Sequence, residues 1–235
     1  MYYQEPLHSA CIILPVHNRK RTTLQCLRHL EKQGDIDTYT IVVIDDGSTD
    51  GTGQEIAVQY PTVSVLLGDG NLWWTGAVKV GMEFAASKGA EYCIWLNDDT
   101  LPDAGAIHVL IQFCSKNPKS IAAANVLDPQ TLQPSYGGVV CRGANILSVC
   151  SEERQKVLCD GLNGNLVCFR TELIDVIGYP DADVYPHYHG DTIYTNTAKR
   201  AGYSLVLLHE AIAYCKNDNL PVSWFRSTQS LSLVL

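Results

Sequence analysis

At 235 residues, 46% hydrophobic and 18% charged, the chain has the makeup of an ordinary globular protein, with room for one large domain or a domain and a half. A formal net charge of −8 argues against a nucleic-acid partner, which needs clustered Lys and Arg, and means that an anionic substrate needs local help from a metal ion or helix N-termini. Nine cysteines, an odd number without a CxxC pair, speak against a disulfide framework or a structural zinc site.

The opening "MYYQEPLHSA" has neither the basic nor the apolar region of a leader. No apolar run approaches the roughly 20 residues of a membrane-spanning helix, so a reduced, cytoplasmic protein is expected. "CIILPV" (11–16) reads as a strand. Asn18 is expected to cap a helix whose Leu24, Leu27 and Leu30 recur at helical spacing until Gly34 stops it. "YTIVVI" (39–44) is apolar on both faces, as a buried parallel strand should be. A short helix at 53–60, strand 63–67, a helix at about 75–88 and strand "YCIWL" (92–96) follow. Thr100 is expected to cap the next helix, with Ile107, Leu110, Ile111 and Cys114 along one face, and strand 121–125 closes the set. Four βα units in a row predict a mainly parallel sheet with helices on both faces, and ligands then belong at the carboxyl ends of its strands.

The second half is mixed. A hairpin is expected over 133–150, with Gly137, Gly138 and Gly143 as punctuation, then a strand at 164–170 and a short helix to Ile177. A loop rich in Pro, Tyr and His (179–190), a helix at 191–201 and strand 203–208 complete it, and residues 216–235 read as a tail. The expected organisation is a single α/β domain over 1–235, with about 10–130 as one half and about 131–215 as the other.

Two acidic pairs stand out. Strand 39–44 runs into Asp45-Asp46-Gly47-Ser48, and strand 92–96 into Asn97-Asp98-Asp99. Ends of parallel strands share one sheet edge, where adjacent carboxylates repel unless a cation or hydrogen-bond donors offset them. Mg²⁺ or Mn²⁺ suits such hard oxygen ligands. "DDGSTDGTGQE" mimics a calcium loop but lacks its twelfth-position Glu, and neither GxGxxG nor a P-loop follows the first strand.

In this order, "CIILPVHNR", "IVVIDDGSTDGT", "GNLWWTGA" and "WLNDDT" resemble the inverting family 2 glycosyltransferases of GT-A fold. The tryptophan-containing motif is similar to the bacterial branch that includes rhamnosyltransferases. The likeness spans roughly residues 10–210 and implies a GT-A fold, with a Rossmann-like, mainly parallel central sheet. It implies that Pro15, His17, Asn18, Arg19 and Asp46 hold the nucleotide, and that Asp98 meets the ribose or supports from behind. Asn71, Trp73 and Trp74 would shape the sugar or nucleotide pocket, while Gly164 and Asn165 would line the acceptor side. Asp99 and His209 would bind Mg²⁺ or Mn²⁺.

An inverting transfer also needs a base to take the acceptor hydroxyl's proton. The resemblance puts Asp191 in that position, with Gly190 standing where relatives carry Glu. It further implies a UDP- or dTDP-linked donor, a saccharide or lipid-linked acceptor, and work in bacterial polysaccharide synthesis in the cytoplasm. It leaves room for a homodimer and for association with the inner face of the membrane. A sugar-nucleotide pyrophosphorylase shares the sheet, but would show a Gly-rich, Arg-containing loop after the first strand. An inactive nucleotide-sugar-binding module is the other alternative.

Overall fold

The computed structural model describes residues 9–142, 145–149 and 156–216; the tail from 217 onward and Gly143 lie outside them. Strand β1 (Ala10–Val16) shows why "CIILPV" is apolar throughout. Ala10, Ile12, Leu14 and Val16 join the core on one face of the sheet, while Cys11 and Ile13 join the core on the other. Then come α1 (Lys20–Gln33), α2 (Asp35–Thr38), β2 (Thr40–Asp45), α3 (Thr52–Gln59), β3 (Ser64–Leu67), α4 (Trp73–Ser87) and β4 (Tyr92–Leu96). The chain continues through β5 (Leu101–Pro102), α5 (Ala106–Lys116), β6 (Ser120–Leu127), β7 (Pro134–Tyr136), β8 (Gly138–Arg142), β9 (Asn145–Val149), β10 (Val157–Leu158) and β11 (Gly161–Leu162). It ends in β12 (Leu166–Arg170), α6 (Leu173–Ile177), α7 (Gly190–Arg200) and β13 (Ser204–Tyr214).

The main sheet runs β10-β13-β6-β12-β4-β1-β2-β3, and β8 pairs with β9 and β11 in a small second sheet. Strands β4, β1, β2 and β3 are parallel, as expected from the βα rhythm. The expected parallel run does not continue into β6, because β12 inserts between β4 and β6, antiparallel to both. Helices α1, α3 and α5 cover one face through Leu27, Leu30, Ile56, Ile107, Leu110 and Ile111. Helices α4, α6 and α7 cover the other through Val78, Met82, Leu173, Tyr194 and Ala198. At its centre Trp95 packs edge-on against Phe169, with ring centroids 5.2 Å apart, and against Trp74 at 5.5 Å. Full burial of each such ring stabilises the fold by about 1.5–3 kcal/mol. No helix among the described residues is long and apolar enough to cross a membrane.

Two expected helix caps are corrected. Helix α1 starts after Arg19, not Asn18, and has no side-chain cap. The Asn18 side chain instead accepts from the Thr49 backbone N–H at 2.7 Å, tying the β1–α1 loop to the loop after β2. Helix α5 starts after Gly105, and Thr100 is buried, accepting a hydrogen bond from Asn165 Nδ2 at 3.1 Å. Residues 101–102 pair with β13 instead, which keeps the chain extended for two residues past the acidic pair.

Candidate functional site

β1 lies between β2 and β4 in a parallel sheet, so the loop leaving its carboxyl end reaches both acidic pairs. His17 donates from Nδ1 to the carbonyl oxygen of Asp46 at 2.5 Å, while its Nε2 meets the Asn18 side-chain amide at 2.9 Å. On the other side, Arg19 lays its guanidinium across the second pair, at 3.1 Å from Asp98 Oδ1 and 2.8 Å from Asp99 Oδ2.

Each of the four carboxylates therefore has donors within the protein. Asp45 is a structural clasp, accepting from the backbone N–H groups of Ser48 at 3.0 Å and Gly53 at 2.9 Å. Asp46 accepts from the N–H groups of Gly70 at 2.8 Å and Trp73 at 2.9 Å, which fixes the turn leading into α4. Asp98 is 2% exposed and also accepts from the Thr23 hydroxyl at 2.8 Å. Burial pushes its carboxyl up to about 6, even with Arg19 and Thr23 pulling it down. Burial works against the Arg19 charge, but Asp98 and Asp99 outweigh it and raise that group's pKa.

Asp99 is the open member of its pair, with its side chain 38% exposed. Its second oxygen takes the Cys215 thiol at 3.6 Å, and burial followed by the Asp99 charge pushes that thiol up to about 12. Among the described residues, no group of three His, Cys, Asp or Glu side chains is spaced to hold a metal ion. His209 sits where β13 shifts register between Leu208 and Ile212, and its buried Nδ1 has no partner among the described residues. Magnesium-like ions need only one or two carboxylates when substrate phosphates supply further ligands. Asp99 fits such an ion by its exposure, with Arg19 and the Cys215 thiol on its oxygens in this structure; Asp98, buried between Arg19 and Thr23, fits a supporting place behind it.

Pro15, Val16, His17, Arg19, Asp46, Gly70, Trp73, Trp74, Ala77 and His187 line a cavity of about 300 Å³ at this edge. Of the residues predicted to hold a nucleotide sugar, it collects Pro15, His17, Arg19, Asp46, Trp73 and Trp74. It leaves out Asn18, engaged with Ser48 and Thr49, Asn71, whose side chain is exposed, and Asp98, which is buried behind Arg19.

A second set of contacts joins this cavity to Asp191. Trp74 donates from Nε1 to Asn97 Oδ1 at 2.8 Å, and the Asn97 N–H donates to the Asn165 carbonyl at 3.0 Å. Next to Asn165, the Gly164 N–H donates to Asp191 Oδ2 at 2.7 Å. A side chain at Gly164 would strike the Trp74 ring, whose Cη2 lies 2.7 Å from an ideal Cβ position. The other Asp191 oxygen accepts from the Thr192 N–H at 2.7 Å and its hydroxyl at 3.0 Å. A carboxylate offers about four acceptor sites, and these contacts take three of them.

The structure also accounts for Gly190. An ideal Cβ there would collide with the Thr75 hydroxyl and approach that residue's Cβ and Cγ2 to 3.1 Å. Thr75 is itself fixed, fully buried with its N–H on the Pro186 carbonyl at 3.0 Å. Gly190→Ala should therefore destabilise the protein by about 1–3 kcal/mol through overpacking. Thermal melts check this: adding Thr75→Ala should recover at least half of the loss, and an unchanged melting point for Gly190→Ala alone would show that Thr75 yields freely.

Sequence reasoning missed Thr23, Thr75 and Cys215. Thr23 stands one helical turn after Arg19, a spacing at which both can reach one partner; Thr75 and Cys215 carried no local signal.

The family model described as Glycosyl transferase family 2 matches residues 11–159. Glycosyltransferase AglE of Haloferax volcanii is 26% identical over 206 residues, covering 86% of this chain and 64% of AglE, so the chain spans less than two thirds of that relative. Among solved structures, GalNAc-T7 with UDP, GalNAc and Mn²⁺ superposes with a TM-score of 0.75 at 15% identity, over 91% of this chain and 45% of that one. The mannosyltransferase PcManGT of Pyrobaculum calidifontis, in complex with GDP-Man and Mn²⁺, gives 0.64 at 16% identity, over 90% of this chain and 60% of that one. S. aureus TarS gives 0.65 at 15% identity, over 88% and 36%. These neighbours share the GT-A fold, and the mainly parallel sheet of this chain, with helices on both faces, has that architecture.

Proposed function

The chain belongs to glycosyl transferase family 2, and from that membership we propose that it moves a sugar from a nucleoside diphosphate to an acceptor hydroxyl with inversion. The observation that carries this reading is the linkage of Asp191, through Gly164, Asn165 and Asn97, to the Trp74 wall of the 300 Å³ cavity. It ties a carboxylate with one acceptor site to spare to the wall of a space suited to a donor.

In this mechanism Pro15, His17 and Asp46 border the nucleotide, and the Arg19 guanidinium faces its phosphates. Asp191 accepts the proton as the acceptor oxygen forms its bond to the anomeric carbon. The bond to the diphosphate breaks on the opposite side, and its electron pair leaves with the nucleotide. Asp99, with His209 as a further ligand, would hold Mg²⁺ or Mn²⁺, which when bound neutralises charge on the leaving diphosphate. The rhamnosyltransferase-like branch, a UDP- or dTDP-linked donor, a single domain over 1–235, and a cytoplasmic place in bacterial polysaccharide synthesis belong to the same proposal. The complexes of GalNAc-T7 with UDP, GalNAc and Mn²⁺ and of PcManGT with GDP-Man and Mn²⁺ support a nucleotide-sugar donor and a divalent ion.

Release of nucleoside diphosphate from a panel of nucleotide sugars with Mn²⁺ tests this reading. One UDP- or dTDP-sugar should be hydrolysed slowly without acceptor, and chelator should suppress it. Binding of nucleotide sugars without turnover under any acceptor would establish the inactive module instead.

A further inference from the structure

We propose that Trp73, His187 and Tyr188 form an aromatic platform that seats a pyranose ring of the acceptor, so that the acceptor is a saccharide rather than a bare lipid. This rests on the transferase reading above. Trp73 and Tyr188 are 55% and 64% exposed, unusual for rings of this size. His187 bridges the two side chains, with its centroid 5.4 Å from the Trp73 ring and 4.5 Å from the Tyr188 ring. The three rings thus make one continuous surface at the cavity mouth, where Trp73 and His187 are also wall residues.

The backbone holds this surface at a cost. Trp73 has φ 55°, a left-handed conformation that disfavours a bulky L residue by roughly 1–2 kcal/mol. The Asp46 carboxylate fixes it there through the Trp73 N–H. His189, directly after Tyr188, has φ 68° and precedes the first residue of α7. Strain of this kind persists where surrounding contacts impose it, and it concentrates at ligand-binding positions. Here it keeps an apolar ring turned toward solvent, which neither packing nor solubility asks for.

The chemistry of the surface selects its occupant. Aromatic faces carry partial negative charge, and the axial C–H groups of a pyranose present a flat, weakly positive, apolar face to them. Hydroxyls around the sugar rim remain free for water and for Asp191, which lies three residues beyond Tyr188. A nucleobase would also stack. Both Asp46 carboxylate oxygens already hold backbone N–H groups, of Gly70 and Trp73, and Tyr188 lies on the segment that carries Asp191, which favours an acceptor sugar here.

The test uses methyl glycosides of glucose, galactose, mannose, rhamnose and N-acetylglucosamine as probes, with polyprenyl phosphate in detergent as the lipid arm. Trp73→Gly removes the ring and suits the positive φ, so the variant should fold at least as stably as the parent. Tyr188→Phe keeps the ring and Tyr188→Ala removes it. At least one glycoside should change the intrinsic tryptophan fluorescence of the full chain. In transfer assays Trp73→Gly and Tyr188→Ala should raise KM for that glycoside about tenfold relative to KM for the donor, with Tyr188→Phe near the parent value. A larger rise in donor KM than in acceptor KM would place a nucleobase on the platform and overturn the proposal. Saturation by polyprenyl phosphate with no glycoside response would do the same. Absence of donor turnover in the parent, with glycoside fluorescence intact, would overturn the transferase reading and leave the platform standing.

Discussion

Asp191→Asn should lower the transfer rate by about 10²–10⁴-fold, the range lost when a positioned general base is removed. The substitution is nearly isosteric, so its effect is chemical. Asn can still accept a hydrogen bond on one side, but its NH₂ group cannot accept from the Gly164 N–H or from the Thr192 N–H, whichever it faces. One backbone donor then loses its partner, at about 1 kcal/mol of stability. On the proposed mechanism the donor uses the β1 side of the cavity, so its binding should change little in calorimetry with the nucleoside diphosphate. Transfer at the parent rate would move the base elsewhere, and loss of folding would be visible in the melt before any assay.

Arg19→Ala should destabilise the protein by stranding a buried carboxylate. It leaves Asp98, 2% exposed, with Thr23 as its remaining side-chain donor among the described contacts. Removing one member of a fully buried pair costs about 3–5 kcal/mol. Because the Arg19 side chain is 44% exposed and water can follow it out, about 2 kcal/mol is the expected figure here.

The pH dependence distinguishes this mechanism from lost packing. The Asp98 carboxyl is raised from an ordinary 3.8 to about 6, chiefly by burial, so between these values the native state binds more protons than the unfolded chain. Stability of the metal-free parent should fall as pH rises from about 4 to about 6, by up to about 3 kcal/mol from this group, and then level off. Without Arg19, which lowers that pKa, the decline should continue toward neutral pH. The variant and the parent should then converge near pH 4 and separate most at pH 7.5. Denaturant melts across this range check it, and a constant difference at every pH would mean that lost packing explains the effect.

Much of the architecture could be read from short stretches. "CIILPV" and "YTIVVI" are apolar on both faces because helices cover both sides of their strands, and Leu27, Leu30, Ile107 and Leu110 marked the helix faces that do the covering. The convergence of Asp46 and Asp99 on the β1 edge followed from strand parallelism alone. What neutralises the acids did not, because Arg19 and Asp99 are 80 positions apart and only tertiary pairing makes them partners. The same holds for Gly190, whose lack of a side chain makes sense only against Thr75. Asn18 and Thr100 misled because residues that suit helix caps also suit bridges between loops, and here the loops won. The antiparallel β12 was legible as a strand but not as an insertion, since a run such as "LVCFR" carries no record of its neighbours.

That insertion has a consequence for how the molecule is put together. Residues 166–170 are the seam between 92–96 and 120–127, hydrogen-bonded to both. A polypeptide ending near residue 130 would lack the middle of its own sheet, with two bare edges facing a gap. The part that lines the cavity and the part that carries Asp191 are therefore not modules that evolution or an engineer could trade independently. They are one fabric, and an exchange on either side must preserve the stitch.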